Sequence, residues 1–200
     1  KMQDGMPFCA VAQGGGLVLV SARWAGAAMK RTQGIFALKQ ADGSEAWKLD
    51  GDWGGVSCDG KHAYAVKKDD GKLYCLELKD GAAAWSFGVG GEARHSPALA
   101  RGVCIVLTDG GALSAVEVDG KNAGKAARWQ GSAAAPFTPQ ALVYSGVRMS
   151  CNKDVLDETQ HTYRRWALAA AEGAGKNGAL VVASGGMIQA LDLKSGGQLW

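Results

Sequence analysis

Histidine is scarce in this chain, and its three copies, His62, His95 and His161, stand far apart. With no His-x-His and no His-Glu-x-x-His, the usual sequence signals of a zinc hydrolase are missing. The five cysteines, Cys9, Cys58, Cys75, Cys104 and Cys151, include no Cys-x-x-Cys and no adjacent pair. That excludes a haem attachment motif and a thioredoxin-type redox motif. No Gly-x-Ser-x-Gly elbow marks a hydrolase. Gly14-Gly15-Gly16 lacks the Lys-Ser/Thr that grips phosphate, and it reads as a strand turn. No run approaches the ~20 apolar residues of a membrane-crossing helix. Net charge is only +3, with 22 basic and 19 acidic side chains interspersed, so the clustered basic face of a nucleic-acid binder is absent. What is plentiful is apolar residues, 47%, and glycine, 30 of 200, which together give core material and many turns.

Those residues recur in a fixed phrase, small-Leu-x-x-x-x-Gly-x-x-x-Trp. It runs from Ala37 through Gly43 to Trp47, from Cys75 through Gly81 to Trp85, and from Ala190 through Gly196 to Trp200. A degraded copy runs from Ala115 to Trp129, with Asp119-Gly120 at its turn and a Trp four residues late, which predicts a longer hairpin loop. Two residues before the small one stand Ile35, Leu73, Leu113 and Ile188; one after it stand Leu38, Leu76, Val116 and Leu191. This alternation predicts a strand that is crowded at the small residue. Asp-Gly or Ser-Gly then supplies a tight turn, and a returning strand ends in Trp. Upstream, Pro7, Pro97 and Pro139 open apolar runs interrupted by glycine, and proline is tolerated at a strand's first residue. Each unit therefore reads as four antiparallel strands, the blade of a β-propeller, with a recurring indole filling the gap between blades. The expected fold is all-β, with about four blades in 200 residues and one short helical insertion at 152–177 within the last of them.

The layout resembles the quinoprotein-like propeller family, whose tryptophan-docking phrase reads Ala-x-Asp-x-x-x-Gly-x-x-x-Trp. Ala190 to Trp200 is the fullest match; the other copies place Lys39, Glu77 or Glu117 at the Asp position. The resemblance implies structural docking roles for Trp47, Trp85, Trp129, Trp200, Gly43, Gly81 and Gly196. It also implies a parent propeller of seven or eight blades, of which residues 1–200 would be an incomplete domain; a complete four-bladed propeller is the alternative. The family's dehydrogenases hold pyrroloquinoline quinone in the axial funnel over a Trp, beneath a vicinal disulfide, with Ca²⁺ and an Asp base. The vicinal pair is absent here. Trp53 is a floor-like aromatic, but a docking or loop role is the favoured reading of it. Cofactor-free relatives, an outer-membrane assembly lipoprotein and secreted repeat proteins among them, belong to the same family.

Residues Val155 to Glu172 contain no Gly or Pro and end in alanines, which predicts a helix capped by Asp154 or Asp157. Its basic aromatic tip offers His161, Tyr163, Arg164 and Trp166 as candidate contacts for a partner, since Arg, Tyr and Trp make favoured anchors. The alternative is a helix lying on the propeller with Trp166 packed beneath it. A second, shorter insertion is expected over 25–33. Cys75 and Cys104 read as small buried residues. A disulfide among the five would leave at least one thiol unpaired.

No catalytic constellation remains once the repeat is accounted for. The favoured reading is a non-catalytic propeller, a protein-binding scaffold or structural subunit of a secreted or envelope assembly. It would be periplasmic or extracellular, without cofactor and with a protein partner. The alternatives are a piece of a dehydrogenase dependent on pyrroloquinoline quinone and calcium, and a carbohydrate-binding module.

Overall fold

The structure, a computed structural model, describes residues 8–23, 33–93, 95–133, 167–171, 176–184 and 187–200. Its strands fall into four antiparallel sheets, each a meander in chain order. Blade one holds β1 (Phe8–Gly14), β2 (Leu17–Arg23), β3 (Gln33–Lys39) and β4 (Glu45–Asp50). Blade two holds β5 (Trp53–Cys58), β6 (His62–Lys67), β7 (Lys72–Glu77) and β8 (Ala83–Gly88). Blade three holds β9 (Ala98–Ala100), β10 (Val103–Leu107), β11 (Ala112–Glu117) and β12 (Ala127–Ser132). Blade four holds β13 (Ala167–Ala171), β14 (Ala179–Ser184) and β15 (Met187–Asp192), and a bridge from Leu191 to Gln198 begins its fourth strand. First strands touch first strands, β1 with β5, β5 with β9 and β9 with β13, so the first strand of each blade is the inner one. This is a β-propeller arrangement.

The registers explain the fixed spacing of the repeat. Ala37 pairs with Trp47, Cys75 with Trp85 and Ala115 with Trp129, each small residue directly opposite its indole. In all three ladders the register shifts immediately after the small residue, leaving Ala46, Ala84 or Arg128 as the bulged position next to the Trp. A bulge twists the strand locally and re-aims the side chain beside it. The Trp is therefore not the end of the returning strand, as the sequence suggests, but the third of six residues in β4, β8 and β12.

The core lies between blades. One layer packs Leu19, Ile35 and Trp47 of blade one against Val56, Ala65 and Leu76 of blade two. The next joins Tyr64, Val66 and Leu73 to Cys104, Val106 and Val116. The third joins Ile105, Leu113 and Trp129 to Leu180, Val182 and Leu191. Polar ties also join neighbouring blades: the Ser21 hydroxyl of β2 donates to Gly54 O of β5 at 2.6 Å, and the Ser57 hydroxyl of β5 donates to Pro97 O.

Two sequence expectations change. The helix predicted to reach Glu172 is strand over Ala167–Ala171, paired residue for residue with β14. Alanine favours helix in isolation, but here pairing with β14 and contact with β9 decide the conformation. The rest of the expected insertion at 152–166 and 172–175 lies outside the described residues, as do Pro7, Pro139 and Trp24. In blade three the lengthened hairpin is present. It contains a 3-10 turn at Gly120–Asn122 and closes through the Glu117 N–H on Ala126 O at 3.1 Å.

Candidate functional site

The most regular constellation in the molecule is the junction between one blade's Trp and the next blade's outer turn. That turn has the same hydrogen bonds in every blade: the Gly43, Gly81, Gly124 and Gly196 N–H groups donate to Lys39 O, Glu77 O, Glu117 O and Asp192 O. Each of these glycines has φ between +67° and +73°, the left-handed region that glycine enters at least cost. The indole N–H of Trp47 donates to Leu78 O at 2.6 Å, and that of Trp129 donates to Leu193 O at 3.0 Å. The acceptor is three residues before the turn glycine in both cases. A Cβ on Gly81 would come within 2.9 Å of the Trp47 ring, and one on Gly196 within 2.6 Å of the Trp129 ring. Trp85 lies on Gly124 in the same way, too close for any side chain there. The ring lies flat on bare backbone, which is why the position is glycine and the neighbour is an indole.

Gly124 was not legible as the turn glycine of blade three, where Asp119-Gly120 looked like the match. Counting back from the Trp gives the signal: the glycine is four residues before Trp47, Trp85 and Trp200, and five before Trp129. The two ends of the series differ from its middle. A Cβ on Gly43 would meet nothing within 4 Å, and Trp200 is 65% exposed, against 8% for Trp47 and 9% for Trp129. Trp53 belongs to the blade-one/blade-two layer. It is buried, donates to Asp50 O at 3.2 Å and meets Tyr74 edge-on at 5.4 Å.

Acidic side chains hold the turns. Asp80 accepts from the Ala82 N–H, and Asp42 accepts from the N–H and hydroxyl of Ser44. The Ser44 contacts hold the Asp42 carboxyl below its ordinary value. Asp192 accepts from Asn177, Ser195 and Lys194, and those bonds, Asn177 first, lower its pKa as well. Asp59 accepts from the Lys61 and His62 N–H groups and from the Tyr64 hydroxyl at 2.8 Å. Burial works to raise the Asp59 carboxyl, and these donors outweigh it, so the group titrates below its usual range. Burial, and then Asp59, push the Tyr64 phenol up. Asx geometry of this kind is a turn device, since a short carboxylate reaches the N–H two residues on.

Two grooves open on the rim that bears these outer turns. One lies between blades one and two and includes Lys39, Lys61, Glu77 and Lys79. The other lies between blades three and four and includes Arg101, Arg128, Asn177 and Lys194. In the second, Arg128 grips Glu117 through two bonds of 2.9 Å, a bidentate pair.

Cys75 and Cys104 are buried between blades two and three, and burial pushes the Cys75 thiol up to about 12 and that of Cys104 well above its ordinary value. Cys58, half-buried, accepts from the Gly60 N–H. The partner-contact candidates His161, Tyr163, Arg164 and Trp166 lie outside the described residues. Among the described residues no three His, Cys, Asp or Glu side chains form a set able to hold a metal ion. The carboxylates of Asp42, Asp59, Asp80 and Asp192 are engaged in turns, and that of Glu117 in the pair with Arg128.

Comparison with known proteins agrees with this architecture. A curated relative, the outer membrane protein assembly factor BamB of Yersinia pestis, is 40% identical over 68 residues, which is 34% of this chain and 17% of that protein. The crystal structure of BamB from Moraxella catarrhalis superposes with a TM-score of 0.63 at 20% identity, over 95% of this chain and 47% of that one. The quinohemoprotein alcohol dehydrogenase of Comamonas testosteroni superposes with a TM-score of 0.59 at 16% identity, over 96% of this chain and 34% of that one, a likeness of fold. The chain thus spans less than half the length of these proteins. Residues 31–200 match the family described as outer membrane protein assembly factor BamB, and the chain belongs to that family of quinoprotein-type propeller repeats.

Proposed function

We propose that this chain serves as a non-catalytic, protein-binding scaffold in outer-membrane protein assembly, on the periplasmic side of the envelope. The observation that carries the reading is the family match over residues 31–200, a family described by that role. The chemistry of the described residues supports it. Asp42, Asp59, Asp80 and Asp192 are committed to turns, Arg128 is held by Glu117, and the Cys75 and Cys104 thiols are buried and protonated. What the rim offers instead is recognition: the groove with Lys39, Lys61 and Lys79 suits an acidic stretch of partner. His161, Tyr163, Arg164 and Trp166 are proposed as further contacts, because their residue types are those enriched at binding hot spots. No cofactor enters this reading, and the family description gives no support to an extracellular site.

The test is removal of the protein from its host, followed by measurement of folded β-barrel protein in the outer membrane. The reading expects a fall that the wild-type gene restores. Unchanged barrel levels would overturn it. So would dye-linked alcohol oxidation by the purified protein supplied with pyrroloquinoline quinone and Ca²⁺.

A further inference from the structure

We infer that the groove between blades one and two is the seat of an acidic segment of a partner polypeptide, with Lys39, Lys61 and Lys79 holding its carboxylates. The inference rests on the scaffold reading and names the contact chemistry of that scaffold. A departure from the repeat carries it. Two residues after the small residue, blades two, three and four hold an acid, Glu77, Glu117 and Asp192, whereas blade one holds Lys39. Each acid has a local partner: Glu77 lies 3.9 Å from the His62 ring, Glu117 grips Arg128, and Asp192 accepts from Asn177. The turn does not require the exchange. The Lys39 N–H donates to Ser44 O and Lys39 O accepts from Gly43, as Glu77 does with Ala82 and Gly81. The reversed charge therefore serves no folding task, and the side chain is exposed at the groove.

Lys61 from the turn between β5 and β6 and Lys79 from the turn between β7 and β8 border the same groove, and both are exposed. Among the described residues none of these three lysines forms an ion pair. The acids of the adjoining turns are engaged, Asp42 by Ser44 and Asp80 by the Ala82 N–H, and Glu77, the carboxylate that lines the groove, faces His62. Ammonium groups gathered around one groove repel one another, so an occupant that brings negative charge is favoured there. Between the lysines the groove is apolar, with Leu17, Leu78 and the bulge residue Ala46. The matching bulge of blade three carries Arg128, already held by Glu117, so the groove between blades three and four is a different surface. An apolar strip flanked by ammonium groups fits a polypeptide that sets an apolar side chain between carboxylates. Lysine also lacks the planar fork with which arginine grips phosphate.

Fluorescence anisotropy on the 200-residue chain tests it, with a labelled synthetic peptide in which Leu alternates with Asp and Glu. The expected result is saturable binding that weakens as salt rises. Lys39→Gln, Lys61→Gln and Lys79→Gln should each weaken it about two- to fivefold, the scale of one exposed ion pair. Lys39→Glu, which gives blade one the acid of the other blades, should weaken it at least about tenfold. Lys194→Gln, in the other groove, should change nothing. Every variant should keep the wild-type circular dichroism and urea midpoint, because no ion pair is lost. The inference is overturned by absence of binding at low salt, by indifference to the lysine variants, or by an equal loss in Lys194→Gln. Equal binding of a peptide with Asn and Gln in place of its acids overturns it too. Tighter, lysine-dependent capture of phosphatidylglycerol vesicles or inorganic polyphosphate would assign the groove to phosphate instead, and so overturn it as well. The scaffold reading fails separately, through barrel levels that do not fall when the protein is removed, so the two failures are distinguishable.

Discussion

Trp47 stands directly across the ladder from Ala37, one residue before the register shifts, and its indole reaches over to Leu78 O in the next blade at 2.6 Å. The repeat's ten-residue spacing is the chain length that brings a small side chain and a large ring face to face around a turn. Truncating Trp47 to Ala should remove the ring and leave the Leu78 carbonyl without its donor. The expected loss is about 3–5 kcal/mol of stability, typical of a buried aromatic truncated in a core. Urea unfolding checks it, and a cost below about 1 kcal/mol would show that the junction adds little.

Gly81 and Gly43 share a backbone conformation, φ +73° and +72°, but not a neighbour. A Cβ on Gly81 falls 2.9 Å from the Trp47 ring, and one on Gly43 meets nothing within 4 Å. Gly43→Ala should cost only the left-handed strain, about 1–2 kcal/mol. Gly81→Ala should cost that plus an overpacking penalty of about 1–3 kcal/mol. Because strain cancels in the comparison, the difference measures the indole contact; equal costs would refute it.

The blades were legible because their signals are local: period-two alternation, turn glycines and a Trp at fixed offset all lie within a dozen residues of one another. Gly124 was hidden because the 3-10 turn at Gly120–Asn122 lengthens the hairpin, so counting forward from Ala115 stops at the wrong glycine. Ala167–Ala171 was misread for a different reason. A run of alanines carries no period, and pairing with β14 is information held elsewhere in the chain. Ile188 and Ile35 hold the same place in the repeat yet differ from 63% to 0% exposure, because among the described residues only Ile35 has a following blade packed on it.

Cys75 occupies the small position opposite Trp85, and Cys104 lies in the same layer. Burial pushes the Cys75 thiol up to about 12, so it stays protonated at pH 8. In a background with Cys9 and Cys151 replaced by Ser, Ellman's reagent should titrate Cys58 first in the native protein, and Cys75 and Cys104 only on unfolding. Prompt reaction of all three would show that the layer between blades two and three opens readily.

Asp59 links a turn to the core, since its carboxylate accepts the Lys61 and His62 N–H groups and the hydroxyl of the fully buried Tyr64. Its folded pKa is depressed below the unfolded carboxylate value of about 3.9. A depressed carboxyl binds fewer protons folded than unfolded, so its contribution is complete above the unfolded value and disappears as pH falls through the folded one. The carboxylate of Asp59 also faces the His62 ring at 3.7 Å, and that ring lies 3.9 Å from Glu77, so both partners must be followed with it. The stability gap between wild type and Asp59→Asn should be at its full value above about pH 5 and should shrink steadily below about pH 4. Tyr64→Phe, which removes one of the donors to the carboxylate, should reduce the gap. Chemical denaturation across the pH range decides it: a gap that does not change below pH 4 would mean the carboxylate is not held by these donors.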